Sequence, residues 1–173
     1  MGGSVTSGVA RTGGREVTAS PGPPEGRGLA PGHAFDAFEM RAVEVAEADW
    51  AMEMEVTPRV TNSSGALQGG LLATLIDTVA GTALLRGENG YERTATSEMQ
   101  VSYLAGARVG PVLATAHILR HGRRSAVVRV EVHDRGAGDL HVATSTLTFA
   151  VRGGPHAAGG TAPSTDTPSS TAG

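Results

Sequence analysis

Between Asn62 and Arg86 the only charged side chain is Asp77. A carboxylate on a face that holds no other charge, in a partly dry site, can take a proton from water. It can equally serve as a buried acceptor that hydrogen-bonds across a subunit interface. Just upstream lie Asn62, Gln68, Gly69 and Gly70. Gly69 and Gly70 open a helical pattern, and the first N–H groups of a helix are unpaired and carry its positive dipole end, which suits a developing oxyanion. With no Cβ in the way, a carbonyl can approach that backbone closely. The same pair also suits a tight loop-to-helix junction and nothing more. Gln68 can donate an amide hydrogen bond but carries no titrating proton. Asn62 can orient a carbonyl or a water, or simply cap the turn Asn62–Gly65. Further on, Arg120, Arg123 and Arg124 surround Gly122. Their planar guanidinium groups suit phosphate, though a solvated hairpin end needs them no less.

The element that must position Asp77 is the helix. At about 100° per residue, Leu71, Leu72, Leu75, Ile76, Val79 and Ala83 form one stripe that faces a core. The other face holds Ala73, Thr74, Asp77, Ala80, Gly81 and Leu84, where a solvent-exposed face would carry charge. Small residues there imply close packing by a second subunit or a ligand.

The flanking chain alternates with a period of two, as strands do. Phe38–Ala46 and Trp50–Val60 precede the helix, with a turn at Ala48-Asp49 and Pro58 near an edge or end. Thr94–Leu104, Val112–Arg120, Ser125–Val132 and Leu140–Val151 follow it, the helix stopping at Gly87-Glu88-Asn89-Gly90. Short connections between the last four predict an antiparallel meander. The class is α+β: one long helix against about six strands, which must curve around it.

Composition sets the remaining bounds. Of 173 residues, 39% are hydrophobic, enough for one core, and the net charge of −3 offers no electrostatic case for nucleic acid. Cysteine is absent, so there is no disulfide, thiolate metal site or cysteine nucleophile. The six histidines suggest no metal set, and no cofactor motif is present: neither GxxxxGK[ST] nor GxSxG occurs. Residues 1–32 and 153–173, rich in Gly, Pro, Ser and Thr, read as disordered tails around a folded domain at 33–152. No secretory signal or membrane-spanning stretch is expected, which makes the default a soluble cytoplasmic protein.

Asn62-x5-Gln68-Gly69-Gly70, with Asp77 nine positions after Gln68, resembles the hotdog-fold acyl-CoA thioesterases of the phenylacetyl-CoA (PaaI-like) type. Their motif reads Asn…His-Gly-Gly…Asp. Val101-Ser102-Tyr103-Leu104, Arg120–Arg124 and Ala143–Val151 are similar to the family's later strands, so the resemblance spans about 35–151. It implies a long helix wrapped by a curved sheet, and a homodimer or homotetramer with shared sites. It further implies hydrolysis of an acyl-CoA or acyl-carrier-protein thioester, with Asp77 as base or nucleophile and Gly69 N–H as oxyanion donor. Asn62, Gln68 and Thr96 (or Ser97, one register step on) would orient the carbonyl or the water, and Gly70, Arg123 and Arg124 would contact substrate; Thr96 reads equally as an ordinary β-branched strand residue. Gln68 stands where the family has His, which excludes that position as an acid or base. Two alternatives on the same fold are a non-catalytic acyl-thioester binder and a hydratase or dehydratase. The second wants an Asp-and-His pair, which Asn62 and Gln68 do not supply.

Overall fold

The computed structural model describes residues 38–86 and 90–154, with the backbone of 17–19. The rest of both terminal segments, and Gly87 to Asn89 of the stop signal, lie outside the described residues. Seven strands form one antiparallel sheet: β1 (Val17–Ala19), β2 (Met40–Val45), β3 (Trp50–Met54), β4 (Arg93–Tyr103), β5 (Val112–His121), β6 (Ser125–Asp134) and β7 (Leu140–Arg152). Helix α1 (Gly69–Arg86) lies against one face. This is the hotdog architecture, a long helix packed on a curved sheet.

Alternation builds the sheet. In β6, Ala126, Val128, Val130 and Val132 are buried beneath the helix, while Arg129, Glu131 and His133 point to the other face. The helix answers with Leu72, Leu75, Ile76 and Val79, all buried. Gly81 sits over the sheet, where a Cβ would make ordinary contact with the Phe149 ring at 3.7 Å. Burying a side chain such as Phe149 contributes about 2–3 kcal/mol. The helix starts where the Gln68 carbonyl accepts from Leu71 N (2.9 Å) and Leu72 N (3.0 Å). It ends where Tyr91 N donates to Leu84 O at 2.9 Å.

Four expectations are corrected. The strands after the helix do not form a four-strand meander, because the sheet order is β1-β2-β3-β5-β6-β7-β4. β4 pairs with the last strand and becomes a sheet edge, and residues 104–111 carry the chain across to β5. Second, Ala80 and Leu84 belong to the core rather than the small-residue face. That face is narrower: Ala73, Thr74, Asp77 and Gly81, all half-buried. Third, the stretch read as a disordered head contains β1, whose Val17 and Thr18 pair with Val45 and Glu44. Val17 and Thr18 favour strands, and an open edge offers the hydrogen bonds a three-residue strand needs. Fourth, α1 is long and apolar enough by length and composition to cross a membrane. Its buried stripe against the sheet marks it as a core helix.

The crossing at 104–111 is built on a buried carboxylate. Asp134 Oδ2 accepts from Arg108 N (2.7 Å) and Val109 N (3.0 Å). Its Oδ1 accepts from Gly110 N (2.8 Å) and Ala137 N (3.3 Å). Burial pushes the Asp134 pKa up, but these four backbone donors outweigh it and hold the group below the usual carboxylate value. The loop in turn holds the approach to the helix, as Leu67 N donates to Ala107 O at 2.7 Å.

Candidate active site

Asp77 sits two turns into α1, on the side of the helix that faces β4. Thr96 Oγ1 donates to Asp77 Oδ1 at 2.6 Å, so of the two neighbouring strand hydroxyls, Thr96 and Ser97, it is Thr96 that meets the helix carboxylate. A β-bulge at Ser97 follows at once: Thr96 pairs with Phe149, and Glu98 pairs with Thr148. Ser97 Oγ closes the bulge by donating to Thr148 O at 3.0 Å. The extra residue restores the alternation, so Thr96, Met99 and Tyr103 share the helix-facing side of β4.

The helix start forms the second part. Leu71 and Leu72 use the Gln68 carbonyl, and among the described residues no acceptor bonds the Gly69 or Gly70 N–H. These are the open donors of the helix. Gly70 is exposed, and a Cβ there would meet nothing within 4 Å. Gly69 lies against Tyr103, whose hydroxyl donates to Gly69 O at 2.9 Å.

The other candidates divide. Gln68 is exposed beside the open donors. Asn62 spends its side-chain oxygen on its own loop, accepting from Ser64 N (3.0 Å), Ser64 Oγ (2.7 Å) and Ala66 N (3.2 Å). Only its amide NH2 is left for a ligand. Arg123 and Arg124 lie exposed at the β5–β6 turn, away from the helix start. The turn is not remote from Asp77, however. Thr96, Phe149, Ala126 and His121 form one row across four strands, so about three strand spacings, roughly 14 Å, separate β4 from that hairpin.

Asp77 and Gly69 do not meet within one protomer. Eight residues at 1.5 Å rise put them about 12 Å apart along the helix. A carbonyl bonded to Gly69 N–H therefore makes no direct contact with Asp77 of the same helix. A shallow cavity lined by Glu53, Pro111, Arg135 and Gly136 contains none of these residues.

Sequence reasoning missed Tyr103 and Asp134 as parts of the site's frame. Their partners lie 34 and 24–26 residues away, so no local spacing marks them. No local pattern pairs a histidine with Glu131 either, yet His141 Nε2 lies 2.8 Å from Glu131 Oε2. His141 stacks on His133 with centroids 4.7 Å apart, on the sheet face opposite the helix. His117 and His121 stand four apart, but on strand β5 rather than a helix. Among the described residues no group of three or more His, Cys, Asp or Glu could hold a metal.

Comparison with known proteins gives a consistent result. Residues 64–140 match the family model described as Thioesterase superfamily. Human acyl-coenzyme A thioesterase 13 is 36% identical over 89 residues, covering 51% of this chain and 63% of its own length. A Caenorhabditis elegans protein with esterase in its name is 36% identical over 116 residues, covering 65% of this chain and 68% of its own. The crystal structure of zebrafish thioesterase superfamily member 2 superposes with a TM-score of 0.62 at 28% identity, covering 72% of this chain and 88% of that one. The Escherichia coli PaaI protein shares the fold, with a TM-score of 0.60 at 21% identity and 69% and 83% of the two chains covered. The chain spans less than two thirds of the human protein's length.

Proposed function

The chain belongs to the thioesterase superfamily, and we propose that it is an acyl-CoA thioesterase, hydrolysing a thioester to a free acid and CoA. The observation that carries this reading is the Asp77 carboxylate, held at 2.6 Å by Thr96 Oγ1 of β4. Asp77 takes a proton from water as the water oxygen attacks the thioester carbonyl. The charge that develops on the carbonyl oxygen is stabilised by the open N–H of Gly69, at the positive end of the helix. Collapse of the tetrahedral intermediate breaks the C–S bond, and the CoA sulfur leaves and gains a proton. Thr96 orients the carboxylate and its water. Gln68 and the Asn62 amide orient the carbonyl, and Gly70 leaves room for it.

The site is shared between two copies. The roughly 12 Å of helix between Gly69 and Asp77 supports an oxyanion donor and a base that come from different protomers. β4 supports this: it is an eleven-residue edge strand, most of it exposed, with Met99, Tyr103 and the following Leu104 presented to solvent. An open edge strand that carries exposed apolar side chains offers its backbone hydrogen bonds to another chain. The unit is a homodimer, and a homotetramer of two such units keeps the same sites. The name of the human relative favours CoA over a carrier protein as the donor. Arg123 and Arg124 are the candidates for its phosphates, and the protein works in the cytoplasm.

The test is release of free thiol from a panel of short-chain, long-chain and aromatic acyl-CoAs. Turnover of at least one class is expected, and the pattern names the acyl group. No release from any of them refutes the reading.

A further inference from the structure

We infer that Tyr103 is a positioning residue that fixes and polarises the peptide joining Gly69 to Gly70, and so makes the Gly70 N–H a working donor beside that of Gly69. The inference rests on the helix start being the oxyanion site proposed above. The Gly69 carbonyl and the Gly70 N–H are opposite ends of one planar, trans peptide unit. A hydroxyl bonded to the carbonyl therefore sets the direction of the N–H. Tyr103 Oη donates to that carbonyl at 2.9 Å.

The peptide already belongs to the first turn of α1, whose geometry sets its plane, and the Tyr103 hydroxyl adds a restraint from outside the helix. Both flanking residues are glycines, which rotate more freely than any other residue. Beyond its chain neighbours and the helix's own backbone, no atom lies within 4 Å of a Cβ built on Gly70, so no other element packs on it. The neighbouring contact is Tyr103 itself, whose ring carbons come within 3.6 Å of a Cβ built on Gly69. A hydrogen bond received at the carbonyl also draws charge from the amide and strengthens the N–H as a donor.

The same strand holds both chemical groups. Thr96 on β4 binds the Asp77 carboxylate, and Tyr103 at the end of β4 binds the first helical carbonyl. β4 is thus a splint that aligns the base and the oxyanion donors of its own protomer, each serving a different site of the dimer.

Tyr103→Phe tests this, because it keeps the ring and removes only the hydroxyl. Two quantities are read on the full chain. The first is steady-state hydrolysis of the best acyl-CoA, where kcat should fall roughly two- to tenfold and KM should stay within about twofold. The second is the backbone amide resonance of Gly70, which should move upfield in 1H and 15N without any substrate. A fall in kcat with an unmoved Gly70 resonance overturns the inference, as does a raised KM with kcat intact. So does a lowered Tm with kcat and Gly70 unchanged, which would make Tyr103 a mere staple. If wild-type protein hydrolyses no acyl-CoA, the thioesterase reading fails on its own. The Gly70 resonance then decides whether Tyr103 holds the peptide: movement supports it and no movement overturns it.

Discussion

Replacing Asp134 with Asn should cost about 3 kcal/mol of stability, a figure that follows from the four backbone N–H groups it serves. Asp134 is fully buried, with Oδ2 on Arg108 and Val109 and Oδ1 on Gly110 and Ala137. An asparagine keeps one acceptor oxygen. Whichever way its amide is turned, the NH2 confronts two backbone donors and leaves both without a partner. Two charge-assisted hydrogen bonds at about 1.5 kcal/mol each set the estimate, before any repulsion between facing donors. Urea melts at fixed protein concentration measure it, and Tm should drop by about 10 °C. The pH dependence is a second check with a definite sign. The native carboxyl titrates below its usual 3.8. Its contribution is therefore complete above the unfolded-state pKa and is lost as pH falls through the lower, native one. The gap between wild type and variant should be flat at neutral pH and close on acidification below about pH 4. A gap under about 1 kcal/mol at pH 7, or one that widens in acid, would refute this account of the 104–111 crossing.

Two further outcomes follow from the site. Thr96→Val removes the 2.6 Å bond to Asp77 from an exposed strand position, so kcat should fall roughly three- to tenfold with Tm almost unchanged; unchanged kcat would dismiss the hydroxyl. Gly69→Pro removes one N–H at the helical position that best tolerates proline, and mixing it with Asp77→Asn should restore about a quarter of wild-type turnover through heterodimers with one intact site. No restoration after confirmed subunit exchange would place base and oxyanion donor in one protomer.

The helix and its limits were legible in the sequence because each residue there obeys a local rule. The stripe from Leu72 to Ala83 has a helical period, and Gly69 marks the start by the absence of a Cβ as much as by position. Six strands were legible from alternation, as in Ala126 to Val132. Their order was not, because antiparallel alternation specifies a face and not a neighbour. β4 joins β7 through pairs such as Met99 with Leu147, and no short-range pattern encodes that. Ala80 and Leu84 were misassigned for a related reason: α1 is contacted by β3, β4, β5, β6 and β7, so the sheet buries a wider arc than one apolar stripe. β1 was hidden by the glycine- and proline-rich composition around Val17, Thr18 and Ala19. At the site, Asp77 and Thr96 were legible as types at motif positions, but their hydrogen bond spans 19 residues and needed the fold. Asn62 shows the limit of a motif, since its oxygen is already engaged within its own turn.

The central claim is that Asp77 activates water in a thioesterase site, and Asp77→Asn tests it most directly. Thiol release from the best acyl-CoA should be measured for wild type and variant side by side, with Tm and oligomeric mass as controls. The account predicts kcat lowered by at least roughly 100-fold, with KM, Tm and assembly unchanged. Turnover retained within about tenfold of wild type would contradict it and remove Asp77 from the chemistry.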